Sequence, residues 1–131
     1  MPFAQRHRRA VTVLAIDDEP SILRLLQRGL PHVGAFEVVT AHSSQEAVEV
    51  LGAGLLPEVV LLDHGVAADR RLEELFAELR PRPRVLYFTG RRLSDEERAG
   101  VDGVVYKPLS LQRLAEELTD GPSPLPMPAG K

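Results

Sequence analysis

The run VTVLAI (11–16), continued by DDEPSILRLLQRGL (17–30), decides the fold. Consecutive apolar residues, several of them β-branched, suit a strand covered on both faces, the condition of an interior parallel strand. Three acids close it: Asp17, Asp18 and Glu19. Pro20 stands where a helix can begin. Beyond it Ile22, Leu23, Leu25, Leu26 and Leu30 recur at three and four residues, the period of a helix with one buried side. A strand that passes through a polar turn into an amphipathic helix is the βα unit of a parallel α/β sheet.

The same alternation continues along the chain. Strand texture returns in FEVVTA (36–41), EVVLLD (58–63), RVLYFT (84–89) and GVVYK (103–107). Helical periodicity occupies 44–53, 70–79 and 111–118, with Leu72, Leu75, Phe76 and Leu79 marking the second and Leu111, Leu114 and Leu118 the third. Five strands interleaved with helices predict a doubly wound parallel sheet of the α/β class, three layers deep. The chain of 131 residues holds one such domain, over 10–120. Residues 1–9 read as a basic flexible leader carrying Arg6, Arg8 and Arg9. Residues 121–131, GPSPLPMPAGK, read as a proline-rich flexible tail. There is no cysteine, which excludes disulfides, thiolate metal sites and thiol catalysis. No apolar run approaches membrane-spanning length and residues 1–9 lack the apolar core of a secretion signal, so a cytoplasmic protein without membrane insertion is expected. The net charge of −3 predicts no direct binding of nucleic acid.

In an open parallel sheet, ligands bind beyond the carboxyl ends of the strands. The polar residues fall at those ends: Asp17, Asp18 and Glu19 after the first strand, Asp63 after the third, Thr89 and Gly90 after the fourth, Lys107 and Pro108 after the fifth. Carboxylates brought within a few ångströms repel by roughly 1–4 kcal/mol per contact at surface-like dielectric. Either some of them hold protons or cations compensate them. Lys107 supplies one positive charge, and an oxygen-seeking divalent ion such as Mg2+ would supply the rest. The Thr89 hydroxyl and the Lys107 ammonium suit phosphate oxygens, and a carboxylate can itself be the nucleophile, forming an aspartyl phosphate. Taken alone, Asp17 and Asp18 could simply cap the helix at Pro20. The four strand ends together favour a site. Lys107 is the only lysine before Lys131 in a chain with fourteen arginines, so a compact point charge is wanted there. His7, His32, His42 and His64 share no metal-ligand spacing, and His64, beside Asp63, is expected at the surface. The arginines at 80, 82, 84, 91 and 92 are expected to form a solvated face.

The run VLAIDDEPSIL (13–23), the strand-ending Asp63, the Thr89-Gly90 pair and the Lys107-Pro108 pair resemble the receiver domain of bacterial two-component response regulators. The resemblance covers residues 11 to 119. It implies a flavodoxin-like five-stranded sheet of order 2-1-3-4-5. It also implies that Asp63 takes a phosphoryl group from a phosphohistidine on a sensor histidine kinase or phosphotransfer protein. By the same resemblance Asp18, Asp63 and the Gly65 carbonyl would bind Mg2+, Asp17 would act through water, Thr89 would bond a phosphoryl oxygen and Lys107 would pair with it.

The chain departs from that pattern in four places. HGVAADRR (64–71) replaces the usual Met-Pro pair, with Arg71 where a glycine is common. The 63–89 and 89–107 intervals are short, squeezing the fourth helix into Leu93–Ala99 with Ser94 as its N-cap, a segment expected to be among the most mobile. Val104 occupies the position of the family's switch aromatic, and Tyr106, on the same strand face, is a candidate replacement. Pro81, Arg82 and Pro83 form a stiff entry to the fourth strand. The leading expectation is a stand-alone, Mg2+-dependent phosphoacceptor, monomeric or weakly dimeric, whose output is contact with a downstream protein. The alternative is a receiver-like adaptor that binds its partner without phosphorylation. An independent enzyme is disfavoured: DDEPS stands where a nucleotide-binding protein needs a glycine-rich turn, and the carboxylic acid two residues beyond Asp17, where an Asp-X-Asp phosphatase would want one, is Glu19, whose longer side chain reaches differently.

Overall fold

The computed structural model describes residues 10–66, 71–107 and 110–119. The leader, the tail, Pro108 and residues 67–70 of the post-Asp63 segment lie outside the described residues. The elements run β1 (Val11–Ile16), α1 (Pro20–Val33), β2 (Phe36–Ala41), α2 (Ser44–Gly52), β3 (Val59–Leu62), α3 (Arg71–Glu78), β4 (Arg84–Thr89), α4 (Asp95–Arg98), β5 (Gly103–Tyr106) and α5 (Leu111–Thr119). All strand pairs are parallel, in the order β2-β1-β3-β4-β5. This is the flavodoxin-like arrangement expected.

Strand alternation divides the core in two. On one face Val13, Ala15, Val59, Leu61, Leu86, Phe88 and Val105 meet Leu23, Leu26 and Leu30 of α1 and Leu114, Ala115 and Leu118 of α5. On the other, Leu14, Ile16, Val60, Leu62, Val85 and Tyr87 meet Ala47 of α2, Leu72 and Phe76 of α3 and Leu93. Side chains of successive strand residues leave opposite faces, so one continuous apolar run feeds both cores. Leu25, at a helical apolar position, is 53% exposed instead.

Two helices differ in extent from the periodicity. α1 continues through Pro31 to Val33, which is tolerated because proline forfeits only one amide bond in the final turns. α4 is a single turn, shorter than Leu93–Ala99. Ser94 accepts from the Glu97 amide while Glu97 Oε1 accepts from the Ser94 amide, a reciprocal capping box. The segment that follows is anchored by Asp102, whose Oδ2 accepts from the Val85 amide at 2.8 Å and whose own amide donates to the Val85 carbonyl at 2.8 Å. This pair of bonds lets β5 begin after so few residues.

Candidate functional site

Register determines which strand ends meet. Ile16 lies beside Leu62, so Asp17 and Asp63 leave neighbouring strands at the point where chain order reverses. The Asp63 amide donates to the Ile16 carbonyl at 2.9 Å and the Asp17 amide to Ala41, so both backbones are held as the strands end. On the other side Thr89 pairs with Tyr106, and the Lys107 amide donates to the Thr89 carbonyl at 2.8 Å.

The side chains of Asp17, Asp18 and Asp63 bring carboxylate oxygens within 4.8 Å of one another. Asp17 is buried, Asp63 half-buried and Asp18 exposed. Lys107 Nζ reaches between them, 3.0 Å from Asp17 Oδ2 and 3.3 Å from Asp63 Oδ1, and sits 5.1 Å from the centre of the Phe88 ring. Burial is the largest influence on Asp17 and holds its carboxyl above the usual aspartate range. Hydrogen bonds from Lys107 and the Glu19 amide pull against burial without reversing it, and the Asp63 charge adds to the rise. Burial also acts most strongly on Lys107, lowering it, but the bonds and charges of Asp17 and Asp63 together outweigh that and leave the ammonium more basic than usual. Lys107 therefore stays charged. One ammonium cannot neutralise three carboxylates, and the remaining charge, with oxygen donors alone, has the composition of a divalent-cation site.

Helix capping does not account for the acids. The N-cap of α1 is Glu19, which makes no side-chain capping bond, and Asp17 Oδ1 accepts from the Glu19 amide at 3.0 Å. Asp18 is the exposed member of the cluster. Gly65 lies close to Asp63: a Cβ there would stand 3.1 Å from Asp63 Oδ2, so a side chain would crowd that oxygen. Thr89 is buried, and its hydroxyl accepts from the Arg91 amide at 3.3 Å. All six residues expected at the site thus lie on this edge, with Asp17, Asp18, Asp63 and Lys107 in one cluster.

The arginines separate into two groups. Arg80 donates to the carbonyls of Ala77 and Leu79, Arg84 to those of Glu117 and Leu118, and Arg82 pairs with Asp102, all around the start of β4. Arg91 and Arg92 stand at its other end, beside a cavity of about 550 Å3 that is also lined by Leu93, Arg98, Tyr106 and Lys107. Arg91 is engaged by Glu97 at 2.6 Å and Arg98 by Asp95 at 2.8 Å. Tyr106 is 40% exposed and lies on this cavity rather than in the core.

His64, expected at the surface, is partly exposed and engaged by neighbours. Its side chain is half-buried and it meets the Tyr87 ring edge to face, centroids 5.0 Å apart. Arg91 Nη2 lies 3.2 Å from His64 Nδ1. A guanidinium can only donate, so Nδ1 is the acceptor in this contact. The Tyr87 hydroxyl donates to Glu73 Oε2, a buried carboxylate on α3. Only the mix of polar groups within apolar stretches (Glu73 in RLEELF, Tyr87 in RVLYFT) marks these residues in the sequence.

No family model matches the chain. Solved structures do resemble it. Response regulator protein TrrA from Thermotoga maritima, in complex with Mg2+ and BeF, is 25% identical with a TM-score of 0.65, over 84% of this chain and 97% of that one. A response regulator from Burkholderia pseudomallei with a phosphorylated aspartic acid, a calcium ion and citrate is 26% identical with a TM-score of 0.67, over 83% of this chain and 66% of that one. Chemotaxis protein CheY4 from Vibrio cholerae, at 22% identity and a TM-score of 0.69, shares the fold over 86% of this chain and 98% of its own. Among the described residues no helix is long and apolar enough to cross a membrane.

Proposed function

We propose that this chain, a receiver domain of the response regulator kind, accepts a phosphoryl group on Asp63 and signals through contact with another protein. The observation that carries the reading is Lys107 Nζ lying between Asp17 and Asp63 within a three-carboxylate cluster at the switch point of the sheet. That set combines a nucleophilic carboxylate, a fixed positive charge for phosphoryl oxygens and oxygen ligands for a metal.

The cation is Mg2+ in this reading, held by the Asp18 and Asp63 carboxylates and the Gly65 carbonyl, with Asp17 acting through water. When bound it supplies positive charge to the carboxylates and to the transferring phosphoryl oxygens. In the transfer, a carboxylate oxygen of Asp63 attacks the phosphorus of a phosphohistidine on a sensor histidine kinase or phosphotransfer protein. The new O–P bond forms as the P–N bond breaks, and the electron pair returns to that ring nitrogen; with the other ring nitrogen carrying a proton, the histidine leaves as neutral imidazole. Lys107 shifts its ammonium from carboxylate to phosphoryl oxygen, and the Thr89 hydroxyl donates to a second phosphoryl oxygen. Attack of water on phosphorus later restores the carboxylate and releases phosphate. The chain is then a phosphoacceptor that modifies and resets itself rather than an enzyme turning over a separate substrate.

Incubation with acetyl phosphate and Mg2+ followed by intact-mass measurement tests the assignment. The expected result is one added phosphoryl group in the native chain and none in Asp63→Asn. Undiminished modification of Asp63→Asn overturns it.

A further inference from the structure

Val104, which stands where a switch aromatic is expected, is the direct register partner of Tyr87 on β4. Both side chains belong to the core on the α2–α3–α4 face. An aromatic ring is therefore present one strand over from the vacant position, on the same face. Unlike Tyr106, it is buried, at 4% exposure.

The contacts of Tyr87 run in two directions. Its hydroxyl donates to Glu73 on α3, and its ring meets His64, the residue after Asp63, edge to face at 5.0 Å. His64 in turn accepts from Arg91, whose side chain also donates to Glu97 on α4 and to the Arg92 carbonyl and whose amide donates to the Thr89 hydroxyl at 3.3 Å. The set is continuous: Thr89, Arg91, His64, Tyr87, Glu73. Its first member is the hydroxyl proposed to turn toward the phosphoryl group, and its last is fixed in a helix.

We infer that Tyr87 takes the place of the missing β5 ring and that His64 and Glu73 make it a coupling unit, carrying the state of Asp63 into α3. The inference rests on the phosphoacceptor reading above. The physical reason is that each link is directional. The Arg91–Thr89 bond is already long, so movement of the hydroxyl toward a phosphoryl oxygen weakens it and shifts Arg91. Arg91 holds the His64 ring through one nitrogen, and the ring packs edge-on against Tyr87, an arrangement sensitive to rotation of either partner. Rotation of Tyr87 would break its hydroxyl bond to the buried Glu73 carboxylate, so the two side chains are expected to move together. Motion of the pair is thus passed to α3 rather than absorbed. Arg91, His64, Tyr87 and Glu73 are positioning residues; none of these four touches the reacting atoms.

The test is amide NMR with Mg2+ and beryllofluoride, a phosphoryl mimic, on the native chain, Tyr87→Phe and His64→Leu. In the native chain, signals of Asp63 and Gly65 and those of Leu72, Glu73 and Phe76 in α3 are expected to shift together. In both variants the Asp63 and Gly65 shifts should persist while the α3 shifts fall at least twofold. His64→Leu leaves the Tyr87–Glu73 bond in place, so it keeps the test meaningful if Tyr87→Phe unfolds. Native-sized α3 shifts in a folded variant, or a native chain that responds at Asp63 but not in α3, overturn the coupling alone. No response at Asp63 in the native chain overturns the phosphoacceptor reading and this inference with it.

Discussion

The α1–α5 layer and the α2–α3–α4 layer cover the same five strands with different chemistry. In the first, long helices bury Leu23, Leu26, Leu30, Leu114 and Leu118 against the sheet in a largely apolar core, with Arg84 donating to the α5 carbonyls of Glu117 and Leu118. The second contains a buried glutamate, a buried tyrosine hydroxyl and a one-turn helix, and it faces the loops that follow Asp63 and Thr89. A uniformly apolar interface gains stability from every atom buried and has little reason to rearrange. A layer with directional polar bonds gives up part of that gain and acquires alternatives that charge at the sheet edge can bias. One side holds the domain together, and in the proposed function the other is the side that responds.

The separation can be attacked from its strong side first. Leu30→Ala, at a fully buried position in α1, is expected to cost about 2–5 kcal/mol in urea unfolding, from lost transfer energy and the cavity left behind. Mg2+ affinity measured on the folded variant should be unchanged; a tenfold fall would show that the two layers are not independent. Next in size is the metal itself. With Mg2+ at ten times its dissociation constant the native chain should gain about 1.4 kcal/mol over the chelated protein, read as a higher melting temperature. Asp18→Asn should abolish most of that gain, and an undiminished gain would remove Asp18 from the site.

Smaller effects probe α4. Ser94→Ala removes one half of the capping box and should destabilise that turn by about 1 kcal/mol. The expected signature is faster hydrogen exchange at the Glu97 and Arg98 amides with the global unfolding midpoint unmoved. A shifted midpoint would mean that the short helix is integral to the core. The smallest effect is a pH dependence. The Arg91 hydrogen bond, assisted by the Ser94 amide, lowers the Glu97 carboxyl from 4.5 to about 2. A carboxyl lowered on folding stabilises fully above its unfolded value and loses that contribution as pH falls through the folded one. The Arg91–Glu97 pair should therefore persist down to pH near 2. A carboxyl titration of Glu97 centred near 4.5 would show that the pair does not form in solution.

Much of this was legible in the residues. The strands begin and end within a residue of the apolar runs, because a doubly covered strand must be apolar along its whole buried length. The site was legible because its members sit where those runs stop, and the end of a strand is visible in sequence. The extent of α4 was less so: the capping serine marked its start, but Asp102 decides where the chain turns back, by bonding to Val85, seventeen residues away. His64 read as a surface residue because nothing local announces Arg91 or Tyr87 as its neighbours.

By itself the sequence determined the strands, the helices, the sidedness of each and the set of polar groups at the sheet's carboxyl edge. These follow from periodicity and from chain breaks, which are local properties. Only the tertiary structure decided that Lys107 lies between Asp17 and Asp63, that Tyr87 stands beside Val104, and that Glu73 is buried with a phenol as partner. Those pairings depend on strand register and helix placement across large separations along the chain. Such geometry comes from packing the whole core at once, and no short stretch of residues encodes it.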